Sequence, residues 1–110
     1  MKQNLAGIKT STSTHGPFLK RLIMPKDKKG RLINMNYVWL KTGKETVPHS
    51  HDDCEEYFFF LEGKGEVTFN GKSTTVIKGD LIKVTSGETH VIKNAGKNTL
   101  YFLSFLVLRN

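Results

Sequence analysis

The chain has a single cysteine, Cys54, so no disulfide can close within it, which suits a reducing compartment. It also lacks any apolar run of about 18 residues, the length a membrane-crossing helix needs. Its start shows no basic stretch followed by an apolar segment and a cleavage site, so no secretory signal is expected. Together these absences predict no membrane span and a cytoplasmic location. A 3.6-residue apolar stripe is missing throughout, and with it any helix pair of the kind that reads DNA. At 110 residues the chain has material for one core, and no second domain is expected.

What is present reads as strands. Phe18 to Met24 and Leu32 to Lys41 flank a lysine-rich turn (KDKKGR) closed in by Pro25, and Tyr37, Val38, Trp39 and Leu40 favour a pleated surface. EVTF and KSTTVI flank Asn70-Gly71, the pair that supplies the positive φ angles of a two-residue type I′ hairpin. Lys78-Gly79-Asp80 turns the chain into LIKV, Thr85 to Thr89 turns it into HVIKN, and Thr99 to Leu108 forms a last long strand. Short strands at regular spacing predict an all-β sandwich or barrel. Residues 1–17 contain STST and little apolar periodicity. They are expected to form a flexible arm, or an edge strand lent to a neighbouring subunit, with residues 18–110 as the barrel and His15 solvated.

Lys and Arg number 17 against 10 Asp and Glu, a net charge of +7. The cations are dispersed, and the one dense cluster at Lys26 to Arg31 is broken by Asp27 and Gly30, so it reads as a solvated turn. No aromatic interleaving marks a base-stacking platform, and no nucleic-acid partner is expected. A positive field of this size would still draw anionic small molecules.

The run GKETVPHSHDDCEEYFFFLEG carries the chemistry. His49 and His51 are one residue apart, so on an extended strand both imidazoles leave the same face. Glu56 can head a second strand, EYFFFL, and an antiparallel neighbour would set its carboxylate beside them. His90 opens a later alternating segment. Three imidazoles and one carboxylate make a mixed N/O set suited to borderline transition metals.

This pattern resembles the cupins. Gly43, five residues, His49, one residue, His51, four residues, Glu56, six residues and Gly63 are similar to the family's first motif. Gly79, Gly87, His90 and Asn94 are similar to the second, fifteen residues further on. One position departs: Thr85 stands where the family has proline, which predicts a softer turn. The resemblance implies a double-stranded β-helix, or jelly-roll, barrel. It also implies a homodimer and one divalent transition metal (Fe, Mn, Ni, Co or Zn) on His49, His51, Glu56 and His90.

Strand alternation extends the site. If the ligands point inward, so do Val47, Phe58, Phe60 and Ile92, giving an apolar well around the ion. Cys54 is expected to be a half-exposed thiol in the turn, and Tyr37 or Trp39 a candidate wall. The last strand is apolar on both faces except at Ser104, so a second subunit is expected to cover its outer face. Four protein ligands leave room on an octahedral ion for a substrate. The favoured function is therefore a metal-dependent enzyme of the oxygenase, decarboxylase or sugar-isomerase type, acting on a small anionic or sugar-like molecule bound to the ion. The alternative is a non-catalytic module that binds or senses such a molecule. Because ligating imidazoles must be neutral, metal should be lost below roughly pH 6.

Overall fold

A computed structural model describes residues 2–12, 16, 18–26 and 29–109. After a short 3-10 turn at Leu5–Gly7 the chain forms β1 (Ser11–Thr12), β2 (Leu19–Met24), β3 (Leu32–Leu40), β4 (Cys54–Glu62) and β5 (Lys64–Phe69). Then come β6 (Lys72–Ile77), β7 (Leu81–Val84), β8 (His90–Asn94) and β9 (Leu100–Leu108). They make a six-stranded sheet, order β1-β2-β3-β9-β4-β7, facing a three-stranded one, order β6-β5-β8. This is the double-stranded β-helix, or jelly roll, expected from the sequence.

The turn chemistry sets the local geometry. Asn70 (φ 52°) and Gly71 (φ 74°) both take positive φ, as the type I′ turn between β5 and β6 requires. Gly63 has φ 94° between β4 and β5, where an added Cβ would lie 2.7 Å from the Thr99 carbonyl oxygen. No side chain fits there without backbone movement.

The inward rows of the two sheets meet in a core of Val38, Leu40, Phe58, Phe60, Val67, Val76, Val84, Ile92, Leu100 and Phe102. Its register explains why one end of the sandwich is closed and the other open. Leu40 lies opposite Leu100 and Val38 opposite Phe102, which fills one end. Toward the other end Asn36 lies opposite Ser104, Phe58 opposite Ser104 and Glu56 opposite Leu106, so polar groups enter the inner face. The site lies at that end.

Outside, the large sheet presents Tyr37, Trp39, Tyr101, Leu103 and Phe105, all half-buried, and Phe59, which is exposed. Tyr37 stacks near Trp39 and Tyr101, and the Arg21 guanidinium lies over Trp39, so neither Tyr37 nor Trp39 serves as a wall of the inner well. The N-terminal segment joins this sheet at its edge. Ser11 and Thr12 pair with β2 of their own chain, and Arg21 donates to the Leu5 carbonyl at 2.9 Å. His15, and part of the lysine-rich turn, lie outside the described residues.

Phe60 is fully buried, and truncating it removes a large part of the closed end. Phe60→Ala should cost about 3–5 kcal/mol in urea unfolding. Gly63→Ala should also lower the midpoint, through the clash with Thr99, although it adds only one methyl group.

Candidate metal centre

The first two histidines sit on a segment that is extended but not a regular strand. It lies along the free edge of β8, where the His90 N–H donates to the His49 carbonyl at 3.0 Å and the His49 N–H returns a bond at 3.3 Å. Further along, the Thr46 N–H donates to the Ile92 carbonyl and the Asn94 N–H to the Lys44 carbonyl, both at 2.9 Å. The two bridges here are Glu45 to Lys93 and His49 to His90. Four steps on one side thus match three on the other, and the extra residue falls beside Pro48, which has no N–H to give a ladder.

That slip decides which side chains face in. A one-residue shift moves everything beyond it to the opposite face. Thr46 is buried before the slip, and His49 and His51 point inward after it. Val47, expected to line the well because it shares the parity of His49, is instead 54% exposed. The alternation rule fails there because it assumes an unbroken ladder.

Glu56 comes from the opposite sheet. Its strand, β4, pairs with β9 and β7 and has no ladder with the histidine segment, contrary to the expected antiparallel neighbour. After the turn at Asp53 (φ 57°) the chain crosses to the other layer, and the carboxylate reaches back over the gap. Its Oε1 lies 3.1 Å from His51 Nε2 and 3.2 Å from His90 Nε2. One candidate ligand atom from each of His49, His51, Glu56 and His90 falls within 4.8 Å of the others.

The second motif holds His51 in place. The Gly87 N–H donates to the His51 carbonyl at 2.8 Å, with Gly87 at φ 84°. At Thr85, where the family has proline, the N–H donates to Glu88 Oε1 at 2.7 Å and its carbonyl accepts from the Glu88 N–H at 3.0 Å. A proline could not make the first of these bonds. The turn is therefore held by hydrogen bonds in place of a locked φ.

The donor set fits a divalent ion. His49 Nδ1 lies 2.9 Å from the Val47 carbonyl, which assigns the proton to Nδ1 and the lone pair to Nε2. His90 Nε2 and Glu56 Oε1 are buried and face each other at ion-pair distance, with no partner outside the cluster. Two facing lone pairs repel unless a cation, either a proton or a metal ion, lies between them. Atoms bound at about 2.1 Å to one centre are at most roughly 4.2 Å apart, so the donors, within 4.8 Å of one another, would draw in slightly around an ion.

Without metal, protons do that work. Burial pushes the Glu56 carboxyl up, but hydrogen bonds from His51 and His90 and their charge outweigh it, holding the group at about 2 against an ordinary 4.5. The hydrogen bond to Glu56 raises His51 above its ordinary 6.5, against the effect of its own burial.

The cluster opens into a cavity of about 130 Å³. Phe58, Ile92, Phe102 and Leu106 supply its apolar wall, and Lys20, Asn34, Asn36 and Ser104 a polar one. Phe58 and Ile92 are thus placed as alternation predicts. Phe60 faces inward but lies deeper, in the closed core and away from the cavity, because parity gives direction and not depth. Cys54 is buried and not half-exposed, and it stands outside the four-group cluster; burial first, then Asp53 and Glu56, pushes its thiol up. The sequence reading missed the polar wall. Its signal was Asn-x-Asn within a strand, since asparagine is depleted in strands and two of them on one face call for a reason.

A fold of two facing sheets with a three-histidine, one-carboxylate cluster at its open end defines a cupin, and the chain belongs to the cupin family. The family model for the cupin domain matches residues 36–106. An uncharacterized protein of Methanocaldococcus jannaschii is 30% identical over 96 residues, 87% of this chain and 77% of that protein. An oxalate-binding protein of Thermotoga maritima is 35% identical over 69 residues, 63% of this chain and 57% of that protein. Among solved structures, a predicted oxalate decarboxylase of Thermotoga maritima superposes with a TM-score of 0.91 at 25% identity, covering 98% of this chain and 99% of that one. Among the described residues, no helix is long and apolar enough to cross a membrane.

Two pH effects of opposite sign follow. Metal-free protein should lose stability as pH falls from about 4.5 toward 2, where Glu56 takes up its proton, because its folded value is depressed. It should also lose stability as pH rises past 6.5 through the raised value of His51, whose contribution is complete only below 6.5. Thermal unfolding of chelator-treated protein from pH 3 to 9 measures both. Added metal should abolish the alkaline loss, and metal uptake near pH 7 should release a proton, so that elemental content begins to fall above pH 6.5 on acidification.

Proposed function

We propose that this protein holds one divalent transition metal on His49, His51, Glu56 and His90 and uses it to bind a small carboxylate. The observation that carries this reading is a buried pair of ligand atoms, Glu56 Oε1 and His90 Nε2, facing each other beside a small cavity. When bound, the ion would act as a Lewis acid that accepts carboxylate oxygens. The chain's own residues do the rest: Phe58, Phe102 and Ile92 exclude water, and Lys20 supplies positive charge to the far side of the cavity. A relative that binds oxalate and a structural neighbour predicted to decarboxylate it support the choice of ligand class.

Binding is favoured over turnover for a chemical reason. With four lining groups committed to the ion, Lys20 is the one remaining titratable side chain among the described residues around the cavity. Proton-transfer chemistry would then have no carboxylate or imidazole to serve as general acid or base. The enzyme reading remains as the second, because four protein ligands leave positions at which a substrate and dioxygen could meet.

Metal-replete protein titrated with oxalate should bind it with micromolar or better affinity, and His90→Ala should abolish both metal content and binding. Loss of oxalate with release of carbon dioxide or uptake of oxygen would favour the enzyme. The same reading takes a second copy of the chain as the cover for the apolar outer face that includes Phe59 and Phe105. Light scattering at micromolar concentration should give a dimer mass, and a monomer would refute this.

A further inference from the structure

The polar wall lies in the same sheet as Glu56 and faces the histidine segment from it, and its chemistry is specific. Asn36 is 6% exposed, faces the cavity, and donates through Nδ2 to Asn34 Oδ1 at 3.1 Å. Its own Oδ1 is buried and has no partner. A buried acceptor left unpaired costs stability, so a residue of this kind is better explained by a donor that arrives with a ligand. Beside it on the neighbouring strand, Ser104 is the matching residue in the register and is also buried. Lys20, on β2 opposite Val38, brings a cation to the same wall.

Charge and size narrow what could fill this space. Glu56 is the one acidic residue among the described lining residues, and Lys20 the one lysine or arginine. With a divalent ion held, two positive charges remain uncompensated: the ion's two and that of Lys20, less that of Glu56. Lys20 is half-buried and the cluster lies deeper, so an anion entering the cavity gains from both, and two carboxylates match the two charges. A dry cavity of about 150 Å³ takes a benzene molecule, so a space of roughly 130 Å³ that opens to solvent admits a molecule on the order of six to eight heavy atoms. Asn34 is two strands from Glu56 in the register, about 10 Å between backbones, so side chains on the two walls can grip opposite ends of a short molecule.

We propose that Lys20 and Asn36 are the specificity-determining residues of the site, and that they select a short dicarboxylate bearing a hydroxyl group. One carboxylate binds the ion, the other meets Lys20, and the hydroxyl donates to Asn36 Oδ1. No covalent step is involved. This rests on the metal-carboxylate reading above and names which carboxylates it favours.

The test is calorimetric titration of metal-loaded protein with a matched series of oxalate, malonate, hydroxymalonate and glycolate. Hydroxymalonate should bind at least tenfold tighter than malonate, which lacks the hydroxyl, and at least tenfold tighter than glycolate, which lacks the second carboxylate. Lys20→Met should erase the margin over glycolate, and Asn36→Leu the margin over malonate, with metal content by elemental analysis unchanged in both. Metal-free Asn36→Leu should unfold at a temperature no lower than the wild type, because it removes an unpaired acceptor. Equal affinities for malonate and hydroxymalonate, or a preference that survives in Asn36→Leu, would overturn the assignment while leaving carboxylate binding intact. A fall of several degrees in the Asn36→Leu midpoint would show a structural residue and overturn it as well. If none of the four acids binds metal-loaded protein, the broader reading fails instead.

Discussion

A carboxylate crossing from one sheet to imidazoles on the other is the constraint on which the open end of this barrel depends. Glu56 belongs to the six-stranded layer, and His49, His51 and His90 lie along the edge of the three-stranded one. At the closed end apolar side chains hold the layers together. At the open end that task falls to a charge-assisted cluster, which is stable only when a proton or a metal ion lies among its lone pairs. The same four groups therefore close the fold locally and create its chemistry.

Everything near the cluster serves to aim it. The irregular pairing beside Pro48 turns His49 inward, the bond from Gly87 anchors His51, and the position of His90 at the head of β8 fixes the third ring. The hydrogen-bonded turn at Thr85 shows that the geometry of this loop can be kept without proline when a nearby carboxylate takes the N–H that proline lacks. Apolar residues then set the dielectric around the four-group cluster, and the polar wall on β2, β3 and β9 shares its cavity.

Much of this was legible from spacing alone. The hairpin at Asn70-Gly71, the strand boundaries near Gly63 and Gly79, and the four candidate ligands could all be read from local patterns, since turns and strand alternation depend on neighbours in sequence. Val47, Phe60 and Cys54 could not be placed in that way. Val47 depended on a register slip, Phe60 on depth within the barrel, and Cys54 on how closely the turn before β4 packs against the end of β9. Each is a property of contacts between segments far apart in the chain.

Residue types and intervals determined which groups would gather and what class of ion they suit, because imidazole and carboxylate chemistry travels with the residue. Only the tertiary structure decided that the carboxylate faces the imidazoles from the opposite layer. It also decided that the second wall of the cavity is made of Lys20, Asn34, Asn36 and Ser104. These come from β2, β3 and β9, strands that the sequence separates and hydrogen-bonded pairing places side by side.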